Sequence, residues 1–85
     1  MKVEIRWKDQ LSTGRDSFHA YLKHVPKTNT PTAMETAFQL WLQDKVWGQK
    51  LLVSDIEFYV DDKMIELERE EENRFFRRME EASNK

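Results

Sequence analysis

Residues 2–8 read Lys-Val-Glu-Ile-Arg-Trp-Lys, an unbroken polar/apolar alternation. Successive side chains of a strand point to opposite faces, so Val3, Ile5 and Trp7 share one face and Lys2, Glu4, Arg6 and Lys8 the other. Such a segment is a strand with one wet face, and it commits the chain to an antiparallel sheet covered on one side only. The rest of the chain must supply more strands and an apolar layer over Val3, Ile5 and Trp7.

Residues 9–16 (DQLSTGRD) collect turn formers and predict a loop. Residues 17–25 fit two periods. Phe18, Ala20 and Leu22 alternate as on the buried face of a strand, while Phe18, Tyr21, Leu22 and Val25 match a helix face. Loop length and Pro26 favour the strand and a hairpin with the first segment. In that arrangement His19, Tyr21 and Lys23 join Lys2, Arg6 and Lys8 on the wet face.

Residues 26–31 (PKTNTP) form a linker, and a helix is predicted over 31–47. Thr30 fits the N-cap, Pro31 the first turn, and Thr32 to Glu35 a capping box one step later. Met34, Ala37, Phe38 and Trp41 make its apolar face, widened by Leu42, and Gly48 marks its stop. The period returns to two with Ile56, Phe58 and Val60 set against Asp55, Glu57 and Tyr59, a strand over 52–60. Asp61-Asp62 reads as a hairpin turn. Residues 63–67 either return as a short strand or begin the last helix, and from Glu68 onward the chain is helical in both cases. Glu68 to Arg74 contains no apolar residue, so this helix must be held by docking Phe75, Phe76 and Met79. The Glu70–Arg74 pair adds only about 0.2–0.5 kcal/mol.

The expected fold class is α+β: one small domain over residues 1–85, order ββαββα, with an antiparallel sheet and helices on one face. Residues 68–85 form a charged C-terminal helix that is frayed or forms an interface. Ten aromatic residues give a chain of 85 residues enough core. The absence of cysteine excludes a disulfide framework, a Cys-bearing zinc site, an iron–sulfur cluster and a thiol nucleophile. No apolar run approaches the ~20 residues that span a bilayer, and the N-terminus alternates instead of forming a signal peptide. A cytoplasmic protein with no membrane contact is expected.

Catalysis finds little to work with. His19 and His24 fall on opposite faces of a strand and cannot share a metal. Asp55, Glu57, Asp61 and Asp62, with Lys63 beside them, are the one set resembling a Mg²⁺ nuclease, and strand alternation alone accounts for them. No catalytic residue, metal or cofactor is assigned, and the chain is read as a non-enzyme.

Charge is more informative. The net charge of -2 divides into +3 over residues 1–50 and -5 over residues 51–85. Nine acids lie between Asp55 and Glu72, opposed only by Lys63 and Arg69, before Arg74, Arg77 and Arg78 reverse the sign. An acidic surface of this kind suits a basic groove on a larger protein, including one that normally holds nucleic acid. Two adjacent aromatics point ~100° apart on a helix, so one of Phe75 and Phe76 is expected to be left exposed as an anchor. The partner-binding residues are therefore Asp61, Asp62, Glu68, Glu70, Glu71, Glu72, Arg74, Phe75, Phe76 and Arg78, with Trp47 a weaker candidate. The alternative is a small nucleic-acid-binding protein that uses the basic face of the N-terminal strands. Pairing of two copies through Phe75, Phe76 and Met79 would instead give a homodimer.

In size, lack of cysteine and mixed acidic and aromatic surface, the chain resembles small phage or mobile-element proteins, anti-CRISPR proteins among them. This resemblance is one of general character, without a shared motif, and it implies a protein that binds and inhibits or regulates a larger intracellular partner.

Overall fold

The computed structural model describes residues 1–9, 18–47 and 53–83. Strand β1 (Lys2–Asp9) is followed by β2 (Phe18–His24), helix α1 (Thr30–Trp41), β3 (Val53–Val60), β4 (Lys63–Ile65) and helix α2 (Arg69–Ser83). The four strands form one antiparallel sheet in the order β2-β1-β3-β4. The expected α+β fold and its ββαββα order are what the chain adopts. The loop expected over 9–16 and the stop at Gly48 fall mostly or wholly outside the described residues.

The inner sheet face follows from the first alternation. Val3 lies opposite Val60, Ile5 opposite Phe58 and Trp7 opposite Ile56, and all six are buried. Helix α1 covers them with Ala33, Met34, Ala37, Phe38 and Trp41. Aromatic rings carry the centre: Phe38 lies 5.5 Å from Trp41 and 6.2 Å from Phe58, ring centre to ring centre. Each such pair adds about 0.5–1.5 kcal/mol beyond its buried area.

Helix α1 begins one residue earlier than its sequence signals suggest. Asn29, not Thr30, is the N-cap, and its Oδ1 accepts from the Thr32 amide at 2.9 Å. A cap of this kind is worth about 1 kcal/mol. The expected Thr32–Glu35 capping box does not form, because Thr32 already lies in the first turn as N3 of the Asn29 cap and Glu35 is a turn further on. The Glu35 carboxylate is engaged by α2 instead. At its other end α1 continues into a π-helical turn, Leu42–Val46. An α-helical step from Trp41 would stack Lys45 over the core, whereas the wider π step brings Val46 there. Val46 is buried and Lys45 exposed.

Strand β2 corrects the expected facing. Its register sets Tyr21 opposite Ile5, Lys23 opposite Val3 and His19 opposite Trp7, so these three lie on the helix-covered face. Ala20 and Leu22 lie on the open face and are exposed. A one-residue change of phase turns over every side chain of a strand. Here the phase that buries the Tyr21 ring prevails, because Asp44 in the π-helical turn satisfies its hydroxyl.

The β3–β4 hairpin has the two-residue turn Asp61-Asp62, with φ of 49° and 69°. A tight turn of matching twist needs both residues in the left-handed region, which aspartate tolerates better than most. Asp61 also ties the turn to β1: its amide donates to the Lys2 carbonyl at 2.8 Å, and its Oδ1 accepts from the Lys2 amide at 2.9 Å. The return strand ends at Ile65, short of 67, and 66–68 lead irregularly into α2.

Candidate partner-binding surface

The acids expected to meet a partner run along one side of the molecule, from the β3–β4 turn to the first turn of α2. Asp61, Asp62, Glu68 and Glu70 are exposed, whereas Glu71 and Glu72 are half-buried. Part of this charge has a local reason. Glu70, Glu71 and Glu72 occupy the first turn of α2, where the helix dipole favours carboxylates by about 0.3–1 kcal/mol each. Asp62 forms an ion pair with Lys2 at 2.7 Å.

The other four predicted residues turn toward their own fold. Phe75 is 1% exposed, with its ring 4.5 Å from Phe38 and 5.0 Å from Phe58. It is a core residue, and the expectation that it anchors a partner is corrected. Phe76 is half-buried and packs against the same core. A single terminal helix can dock both aromatics because Phe38 and Phe58 provide an aromatic seat for the first. Arg74 and Arg78 do not form a free rim either. Both bind the Glu35 carboxylate on α1, at 3.2 Å and 2.5 Å, and the Arg78 guanidinium lies 5.0 Å over the Phe38 ring. Together they fasten α2 to α1.

An exposed residue that the sequence reading did not single out is Met64. It is 54% exposed, on the wet face of β4, in a hollow of 270 Å³ shared with Ile56, Glu57, Ile65, Glu66, Leu67 and Glu72. Three acidic residues, Glu57, Glu66 and Glu72, thus line the same hollow as this exposed thioether. The signal was present in the alternation of 63–67, where Met64 is out of phase with the inward Ile65 and Leu67.

The open sheet face does not gather the basic residues expected of a nucleic-acid site. Lys2, Arg6 and Lys8 of β1 lie there as expected, but His19, Tyr21 and Lys23 of β2 lie on the other face. Arg6 is also bound in place, with its Nε donating to Glu4 at 2.6 Å and its guanidinium 4.3 Å over the Tyr59 ring. Both contacts belong to the protein's own surface. A second hollow, of 410 Å³, between the helices is lined by Thr32, Glu35, Gln39, Glu71 and Arg74 among others, and the Glu35–Arg74 pair crosses it. Trp47, 60% exposed, borders a hollow of 250 Å³ with Leu42, Arg78 and Ala82.

Among the described residues Tyr21 is the one strongly shifted titrating group. Burial first, and then its hydrogen bond to Asp44 Oδ2 at 2.7 Å, push its hydroxyl up to about 12. The folded state thus keeps a proton that the unfolded chain releases near the ordinary value of about 10. The stabilisation is complete below pH 10 and is lost as pH rises through about 12. Ultraviolet titration should show the Tyr21 hydroxyl ionising late, and Asp44→Asn should bring that ionisation down.

Among the described residues no group of three or more His, Cys, Asp or Glu could hold a metal ion, and no helix is long and apolar enough to cross a membrane. Comparison with protein-family models, curated proteins and solved structures finds no match for this chain.

Proposed function

We propose that this protein is a non-enzymatic binding module that docks the acidic surface around Met64 onto a basic surface of a larger protein and so inhibits or regulates it. The observation that carries this reading is the exposed Met64, which lines one hollow together with Glu57, Glu66 and Glu72. Exposed methionine adapts its shape to a partner, and carboxylates around it supply steering and orientation. Glu68 and Glu70 extend the field along the approach to α2. A groove lined by Arg and Lys, such as one that binds nucleic acid, is the complementary partner, and occupation of that groove blocks it by competition.

The test is affinity capture from a cell lysate with three baits: the wild-type protein, Met64→Asp, and Leu22→Asp on the far edge of the sheet. A partner retained by the wild type and by Leu22→Asp, lost with Met64→Asp and released by salt supports the proposal. A partner held equally by all three baits overturns it.

A further inference from the structure

We infer that β2 is an assembly edge, pairing antiparallel with β2 of a second copy about a two-fold axis at Tyr21. The sheet has two edges, and they are not alike. β4 presents three residues and runs into Glu66, a short and charged edge of the kind that resists pairing. β2 presents seven residues, Phe18–His24, in register with β1 over its whole length, and no strand covers its outer side among the described residues. It contains no proline, its pairing with β1 shows no bulge, and its one formal charge, Lys23, sits on the helix-covered face.

The alternation of β2 is also inverted relative to an ordinary edge. Its open face exposes Ala20 and Leu22, the latter 56% exposed, with His24 at the end of the strand, while the polar tips of His19, Tyr21 and Lys23 face the helix side. A soluble edge strand normally places polar residues on its wet face. Leu22 and Ala20 on that face leave apolar surface beside a row of unpaired backbone groups.

Three features select a second copy as the occupant. With Tyr21 on the axis, Leu22 falls opposite Ala20 of the partner subunit and Ala20 opposite Leu22 of the partner subunit, so a large side chain meets a small one twice. The same offset places Lys23 opposite His19 of the partner subunit, and the two lysines do not confront each other. Length decides against the remaining edge, since pairing β2 with β4 of another copy would use three residues of seven and propagate head to tail. A two-fold pairing matches seven residues with seven and closes. The helices of both copies then lie on one side of a continuous sheet, with the Met64 surfaces at its two outer ends.

Light scattering on the full chain across a dilution series tests this. The expected mass is twice that of the chain at high concentration and falls toward the monomer on dilution. Leu22→Lys and Ala20→Lys should each raise the dissociation constant roughly tenfold or more, with circular dichroism unchanged. A wild-type protein that is monomeric throughout, or a dimer that survives both substitutions, overturns the inference. Should the variants fail to fold, amide exchange on the wild type decides. Protection of the β2 amides that is lost on dilution supports the pairing, and exchange independent of concentration refutes it. Dimer formation and capture of a larger protein are separate readouts, because Leu22 and Met64 lie on opposite edges.

Discussion

Phe75→Ala is expected to cost about 3–5 kcal/mol, the range for removing a buried phenylalanine. The whole stability of a small domain is about 5–15 kcal/mol, so the variant stands near the limit of folding. Its cause is specific: Phe75 touches both Phe38 of α1 and Phe58 of β3, so truncation opens a cavity where helix α2, helix α1 and the sheet meet. Each kcal/mol moves the melting temperature of a domain this size by about 4–8 °C. Denaturant and thermal melts should show the loss directly. Phe76→Ala, at a half-buried position, should cost less, about 1–2 kcal/mol. If the two variants were equally mild, the docking of α2 described here would be wrong. Failure of Phe75→Ala to bind a partner would reflect unfolding and not a lost contact.

The second large effect is expected in association kinetics. Reversing Glu66 and Glu68 to lysine changes the local charge by four units on exposed residues that precede α2. The first-turn acids Glu70, Glu71 and Glu72 are left intact, and because Glu68 adjoins the helix N-terminus its reversal should lower the melting temperature by only a few degrees. Steered association accelerates encounter by roughly 10- to 1,000-fold at low salt. The double reversal should therefore slow partner association at least about tenfold at low ionic strength, and the difference should shrink as added salt shortens the screening length. Stopped-flow or surface-based kinetics in a salt series reads both effects. Neutralisation to glutamine should produce an intermediate rate.

How far the sequence could be read depends on what each segment must satisfy. Alternation at Val3, Ile5 and Trp7 fixed a strand and its buried face, because every apolar residue there demanded the same side. The Asp61-Asp62 turn and the helix after Pro31 were legible from local chemistry that tertiary contacts did not override. The facing of β2 was not, since Phe18, Ala20 and Leu22 outnumber Tyr21 in any local count. Only the Asp44 hydroxyl partner, contributed by a π-helical turn 23 positions away, makes burial of Tyr21 favourable. For the same reason Phe75 reads as a surface residue, and Arg74 and Arg78 read as unpaired charges. Their seats, Phe38, Phe58 and Glu35, are distant in the chain, and i, i+4 spacing on α2 carries no information about them. Met64 was hidden differently: alternation with Ile65 and Leu67 places it outward, but outward residues are ordinary, and it acquires meaning only from the acids that share its hollow.

The central claim is that a partner sits on Met64 and its carboxylates, and oxidative footprinting of the methionines tests it most directly. Met64 is exposed, whereas Met34 and Met79 are buried. In the free protein Met64 should oxidise rapidly and Met34 and Met79 slowly, with the half-buried Met1 between them. In complex with the captured partner, Met64 should become protected while Met34 and Met79 are unchanged. A bound partner that leaves Met64 as reactive as in the free protein would contradict the account.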